Sequence, residues 1–234
     1  MLFFTRPILP ILFVSFTGSA TASTLDLFDY AVNIDGTISE PFFGDPIPAQ
    51  VDTSAFDELT GLGLIQVSIT GVGAHNVDLF VDHAIDIGTT SFFDEYGTAV
   101  GTAPTGLTWE IDEPGFVFGN IYDNFLISTL DNSNAVPQTF EDDVSLALGW
   151  DFILGINDTV TIDFYLSDVL NTSGFYLSQT DFFTNNQFFF WTESTIVTDT
   201  PKVPNPVPEP SMIILLVIGF SGYNIIRMRK YQTY

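Results

Sequence analysis

The sequence contains no cysteine and very few basic residues. Without cysteine the chain has no disulfide framework, no thiolate metal ligand and no cysteine nucleophile. All 29 acidic residues except Glu209 lie between residues 23 and 201, a stretch without a single lysine or arginine. Salt bridges to these cations therefore cannot hold this stretch together. Its charge also excludes nucleic-acid binding, because such binding depends on neutralising phosphates.

Aromatic residues are abundant in spite of this charge. The chain has 24 Phe, 8 Tyr and 3 Trp, far more than a disordered acidic polypeptide would carry. The segment 23–199 has the size of one domain, and a core rich in phenylalanine needs no disulfide to stabilise it. We therefore expect one compact acidic domain here.

Residues 160–166 alternate between apolar and polar side chains, as expected for a strand with one buried face. Val160, Ile162, Phe164 and Leu166 form the apolar stripe. Gly and Asn clusters separate several such segments, which predicts an all-β fold, an antiparallel β-sandwich or jelly-roll-like domain. Further strands are predicted at residues 64–70, 77–81, 144–154, 174–178 and 187–192, and short helical turns at residues 55–59 and 122–126.

The first 22 residues have the features of a signal peptide. Arg6 supplies the positive charge, residues 8–16 are apolar, and residues 20–22 are small. Cleavage after Ala22 would release the acidic domain outside the cytoplasm.

The chain ends in three features that follow one another in a fixed order. A proline-rich linker at residues 200–210 ends in a short Pro-Glu-Pro motif, which the two prolines keep extended. Residues 211–226 carry no charge and predict a short transmembrane helix. The basic tail, residues 227–234, would stay in the cytoplasm under the positive-inside rule. The motif consists of Val207, Pro208, Glu209 and Pro210, and the membrane stop signal of Arg227, Arg229 and Lys230.

This ending resembles the PEP-CTERM sorting signal of Gram-negative bacteria. The resemblance implies that an exosortase recognises the tail and that the ectodomain is exported to the cell envelope, from which processing could release it to the cell surface or the medium. Five segments of the ectodomain are similar to one common group of PEP-CTERM proteins, which implies a secreted all-β domain but no established activity. They are residues 92–101, 109–115, 119–125, 158–162 and 174–181.

Calcium is the cofactor that the acidic residues favour. Ca²⁺ takes several oxygen ligands, and loops rich in Asp and Asn often supply them. Neither of the two acidic groups has the spacing of an EF-hand loop, and both also fit a solvated surface. The candidate ligands are Asp78, Asp82 and Asp86 in one group and Glu110, Asp112 and Glu113 in the other.

The sequence does not favour an enzyme. His75 and His83 are the only histidines, and their spacing is not that of a helical zinc pair. A glycoside hydrolase would need two nearby carboxylates, but with this many acids such pairs are expected by chance. The groups that could supply them are Asp57 and Glu58, Asp94 and Glu95, Glu110 to Glu113, and Glu141 to Asp143.

Two functions therefore remain ahead of an enzyme. The first is an envelope-anchored structural protein associated with an exopolysaccharide matrix, as the sorting family implies. The second is a Ca²⁺-dependent carbohydrate-binding module. Trp109, Trp150 and Trp191 should discriminate between them, since a lectin displays a flat row of rings and a structural domain buries them.

Overall fold

The computed structural model describes residues 24–86, 88–115 and 117–199. Within them the chain is all-β, with two antiparallel sheets and a single short α-helix. In chain order the elements are β1 (Leu25–Ile34), β2 (Thr37–Ser39), β3 (Val51–Asp57), β4 (Leu62–Thr70), β5 (Gly73–Ile85), β6 (Glu95–Val100), β7 (Leu107–Asp112), α1 (Ile121–Leu126), β8 (Ser145–Leu154), β9 (Asp158–Ser167), β10 (Tyr176–Asp181) and β11 (Gln187–Thr198).

Five strands form one sheet and six form the other. The order in the first sheet is β2-β1-β5-β8-β7, and in the second it is β3-β4-β9-β11-β10-β6. One hydrophobic core draws side chains from both sheets. Along β9 the side chains of Val160, Ile162, Phe164 and Leu166 are buried, whereas those between them are partly exposed. The predicted inward stripe is thus confirmed.

The five-stranded sheet is also covered on its outer face. Helix α1 and its flanking segments pack there and form a second apolar cluster with Phe80 of β5 and Ala147 of β8. This explains why β5 is buried without interruption from Val77 to Ile85. Alternation at Val77, Leu79 and Val81 had predicted burial of one face only.

Most predicted elements are present, with one error. The helical turn predicted at residues 122–126 is confirmed as α1, but the one predicted at residues 55–59 is wrong. Residues 55–57 belong to strand β3, where they pair with β4. Cross-strand hydrogen bonds override the weak local preference for helix there. The predicted strand at residues 174–178 begins two residues later, at Tyr176.

Both predicted targeting segments lie outside the described residues. These are the signal peptide at residues 1–22 and everything from the linker at residue 200 onward. Among the described residues, no helix combines the length and the apolar character that a membrane span requires.

Candidate functional site

A pocket of about 330 Å³ opens at the end of strand β5, on the covered outer face of the five-stranded sheet. Asp82 and Ala84 of β5 line it and, because they are nearly buried, form its floor. Glu113, just after β7, lines one side, and Asp143, just before β8, lines another. A volume near 300 Å³ is at the lower end of the range for small-molecule sites.

The rim of the pocket is made of exposed apolar side chains. Phe28, Phe93 and Phe118 line it and are 54%, 59% and 67% exposed. Val117 lies beside them and is also exposed. Large apolar groups that converge on one concavity, with carboxylates at its floor, are typical of a binding site and unusual for a free surface.

A β-bulge places Phe28 at the rim. The β1–β5 register shifts between Leu27 and Asp29, so Phe28 has no cross-strand partner and Asp29 faces Asp82. Bulges of this kind re-aim side chains and are common beside functional sites. Here the bulge turns one ring toward the pocket and brings a second carboxylate next to its floor.

Four polar residues therefore lie in one row across the sheet. Asp29 pairs with Asp82, Asp82 with Ser145, and Ser145 with Asp112. Cross-strand partners project to the same face of a sheet, about 4.5–5.5 Å apart. Asp29 and Asp82 are only 3% and 4% exposed, and Oδ1 of Asp29 is buried without a hydrogen-bond partner.

Burial changes the acidity of these carboxyl groups. It raises the pKa of Asp82 well above its usual range, and the charge of Asp143 adds to the effect. Burial together with the charges of Asp142 and Glu113 raises the pKa of Asp143 to about 6, and burial raises that of Asp29 to about 6. Near neutral pH these three carboxyl groups can bind protons, or a cation that enters from solution can neutralise their charge.

The first group of predicted calcium ligands is spread along β5. Asp78 accepts a hydrogen bond of 2.5 Å from the hydroxyl of Ser128, while Asp82 lies at the pocket floor. Asp86 accepts hydrogen bonds from Thr184, 2.8 Å away, and from the side chain of Asn186. Asp78 and Asp86 thus have protein partners, and of these three only Asp82 lines the pocket.

The second group lies two strands away on the same sheet face. Glu110 accepts hydrogen bonds of 2.9 and 3.0 Å from Asn124, and Asp112 accepts one of 2.7 Å from the backbone N–H of Asn120. Glu113 reaches the pocket wall, where burial and Asp142 raise its pKa. In the described part of the chain, no three acidic or histidine side chains are close enough to hold a metal ion. Specific calcium binding stays a prediction.

Glu95, in one of the carboxylate pairs considered for glycoside hydrolysis, is fully buried. One of its oxygens accepts a 2.8 Å hydrogen bond from the backbone N–H of Ile85, and the other accepts a bond from Gln179. Gln179 also donates to the carbonyl of His83, 2.6 Å away. Burial raises the pKa of Glu95 to about 9, so this side chain is a protonated structural link between β5, β6 and β10 at neutral pH.

The two histidines have structural surroundings. His83 is buried, Nε2 lies 3.2 Å from the carbonyl oxygen of Gly61, and burial lowers its pKa to about 4. His75 pairs with Asp35 at 2.8 Å, which raises its pKa. Neither histidine contacts a serine hydroxyl in these hydrogen bonds, so nothing in this geometry resembles a nucleophile and its base.

The three tryptophans pack into the fold. Trp150 and Trp191 are 9% and 6% exposed. Trp109 is partly buried against the core, with its ring 5.8 Å from that of Phe175. They form no flat external row, which is the arrangement expected of a structural domain.

Most of the pocket could not be predicted from the sequence. Asp29, Phe28 and Phe118 carried no local signal, because a bulge and a covering segment bring them together. Of the residues that the sequence did single out, Asp82 and Glu113 were predicted as metal ligands, and Asp143 belongs to the group 141–143 considered for glycoside hydrolysis. Their convergence on one pocket was visible only in the fold.

No protein-family model, curated protein or solved structure matches this chain.

Proposed function

We propose that the chain is an exported, envelope-anchored structural protein that associates with an exopolysaccharide matrix and is sorted through its PEP-CTERM-like tail. The observation that carries the proposal is the order of the tail: an extended Pro-Glu-Pro motif, an uncharged segment of helix length and a basic end. The proposed partner that reads the tail is an exosortase. The inward packing of Trp150 and Trp191 supports a structural role for the domain.

The proposed architecture of the exported part is a β-sandwich of the jelly-roll-like type, followed by a membrane helix at residues 211–226. The hydrophobic core shared by the two sheets supports the sandwich arrangement. A domain of this kind resists unfolding outside the cell without disulfides, since its stability rests on apolar burial.

Carbohydrate binding is the second candidate function. The pocket at the end of β5 favours it, because aromatic rings beside carboxylates suit a sugar ring, whose apolar face can stack while its hydroxyls donate hydrogen bonds. Calcium would be its cofactor in the form predicted from the sequence. Glycoside hydrolysis is a weaker candidate, which the raised pKa of Asp143 alone supports.

Substitution in the tail tests the sorting proposal. Pro208→Ala with Glu209→Ala should leave the protein untrimmed in the inner membrane, because the enzyme would lose the extended motif. The matched control is Pro204→Ala with Pro206→Ala, which changes the same linker but leaves the motif intact. The measurement is the size and the amount of protein in inner membrane, cell surface and medium, in hosts with and without the exosortase.

Neutralising the basic tail should have a different effect from changing the motif. Neutral residues in place of Arg227, Arg229 and Lys230 should weaken retention of the cytoplasmic end, because these charges stop translocation. If the motif variant is trimmed and sorted like the parent, the tail is an anchor only and the proposed exosortase signal is wrong.

A further inference from the structure

The pocket at the end of β5 combines three features that one kind of ligand would satisfy. Its rim offers exposed aromatic rings, its floor offers the nearly buried carboxylate of Asp82, and the adjoining Asp29 has a buried oxygen without a partner. No lysine or arginine lies between residues 23 and 201. A positive charge that pairs with these carboxylates in their ionised form therefore has to come from a bound molecule.

We propose that the pocket binds a primary ammonium group carried on a small sugar or alkyl body. The ammonium group would donate hydrogen bonds to the carboxylates of Asp82 and Asp143, and its carbon skeleton would pack against Phe28 and Phe118. Charge-assisted hydrogen bonds of this type are roughly twice as strong as neutral ones, and a cation beside aromatic rings gains further stabilisation.

A bare metal ion fits the pocket less well. The described residues contain no cluster of three acidic or histidine side chains that could hold a metal. The apolar rim would provide no ligand atoms and no hydrogen bonds to a hydrated ion. A neutral ligand would bring no charge to pair with Asp82 and Asp29 in their ionised forms, so these groups would be neutralised by protons alone. An ammonium ion on a carbon body matches both the rim and the floor.

This inference deepens the proposed function and rests on it for the natural ligand. A matrix polysaccharide that contains hexosamine units with free amino groups would present this chemistry to an exported domain. The domain would then hold the matrix by single amino sugars, since a pocket of about 330 Å³ admits only a small group.

Calorimetric titration of the full chain in neutral detergent, at constant ionic strength, tests the pocket. The probes are glucosamine, its neutral analogue N-acetylglucosamine, and butylamine. Glucosamine should bind at least about tenfold more tightly than the acetylated sugar, because loss of one charge-assisted hydrogen bond costs about that much. Butylamine also carries a single ammonium group, so its comparison with glucosamine shows whether a sugar body is preferred to an alkyl chain.

Two variants test whether glucosamine binds in the pocket. Asp82→Asn should weaken glucosamine binding about tenfold or more, and Phe118→Ala should weaken it severalfold, since both remove groups that contact the ligand. Asp168→Asn, an exposed acid outside the pocket, is the matched control and should leave the affinity unchanged. Circular dichroism of each variant checks that the fold is kept.

Equal binding of glucosamine and N-acetylglucosamine would overturn the proposal, and so would a parent-like affinity in Asp82→Asn. An equal loss in Asp168→Asn would show that the acidic surface as a whole attracts the amine, which also overturns it. Because the titration does not involve sorting, its result is independent of the tail experiment. Tight glucosamine binding with failed sorting, or the reverse, would separate the two proposals.

Discussion

Asp78 shows how single carboxylates are accommodated inside this fold. Asn33, its cross-strand partner, donates hydrogen bonds to the carbonyl of Phe125 at 2.8 Å and to Ser128 Oγ at 3.0 Å. Ser128 in turn donates to Asp78. Burial nevertheless raises the pKa of Asp78 to about 7. The network fixes the end of α1 on the sheet and leaves a charge that costs free energy once the group is ionised.

Asp78→Asn should therefore stabilise the protein in alkaline solution. A carboxyl group whose pKa is raised by folding contributes most to stability below its unfolded pKa and loses that contribution as the pH rises through its folded pKa. For Asp78 the folded pKa is about 7. The amide keeps an acceptor for Ser128 without a charge. We expect a gain in the free energy of unfolding of about 1–3 kcal/mol at pH 8 that largely disappears by pH 4. Urea unfolding at both pH values measures it. A variant that is destabilised equally at both would contradict the raised pKa.

The parent protein should also become more stable as the pH falls from 8.5 to 6.5. Burial raises the pKa of Glu95 from 4.5 to about 9, so its contribution to stability is lost as the pH rises from about 4.5 through 9, a window that covers this range. Asp78 acts in the same direction at lower pH, because its contribution is lost between 3.8 and about 7. His83 acts in the opposite sense, because its lowered pKa costs stability only as the pH falls from 6.5 toward about 4. Thermal unfolding across pH 4–9 should show a maximum on the acidic side of neutrality. Stability that rises steadily toward pH 9 would refute this account.

Substitution of Phe164 tests how much one core side chain contributes to stability. Its side chain is fully buried and lies near the ring of Phe190, with the centroids 6.1 Å apart. Phe164→Ala should cost about 3–5 kcal/mol of the free energy of unfolding, because a cavity replaces the ring. Ile153→Ala, at a site 77% exposed on β8, should cost well under about 1 kcal/mol. Equal costs in denaturant titrations would show that Phe164 is not a core residue.

At the scale of elements, the edge strand β3 is held close to β4. Gly63 faces Phe56 with φ +126°, and a Cβ atom there would collide with the carbonyl oxygen of Ala55. Gly73 also has positive φ, at +138°, but its position is open. Both alanine substitutions would strain the backbone, so their difference isolates the collision with β3.

Gly63→Ala should thus destabilise the fold by about 1–3 kcal/mol more than Gly73→Ala, the range seen for overpacking. Hydrogen exchange should accelerate at the backbone amides of β3 in the first variant alone. A similar loss in both variants would mean that the backbone conformation, and not the approach of β3, decides the cost.

For the whole molecule, uncompensated negative charge is the dominant electrostatic fact. The acids between residues 23 and 201 have no lysine or arginine among them, so they repel one another and screening should relieve the repulsion. The melting temperature should rise with added NaCl. Millimolar Ca²⁺ should raise it further if the predicted calcium ligands act together. If Ca²⁺ has no more effect than NaCl at equal ionic strength, specific calcium sites are unsupported.

Local patterns sufficed where one strand determines its own burial. The alternation in β9 identified its inward face, and α1 was found at residues 122–126. Local patterns failed where a covering segment changes what a strand contacts. Strand β5 is the example, because both of its faces are buried. Strands β1, β2, β3, β6 and β7 were not predicted. Register shifts interrupt β1 and β3, runs of consecutive buried residues end β1 and β7, β2 has only three residues, and the buried positions of β6 include Glu95 and Gly97, which carry no apolar signal.

The sequence by itself determined the charge balance, the absence of thiol chemistry and the predominance of strands, because composition and two-residue periodicity are local properties of the chain. It also carries the tail on which the sorting proposal rests. Only the tertiary structure decided which carboxylates are buried and which meet at a pocket. Asp29 and Asp82 are more than fifty positions apart, and a one-residue bulge in β1 sets their register. Sheet pairing and the segment folded over it are non-local, so no pattern along the chain could have specified that site.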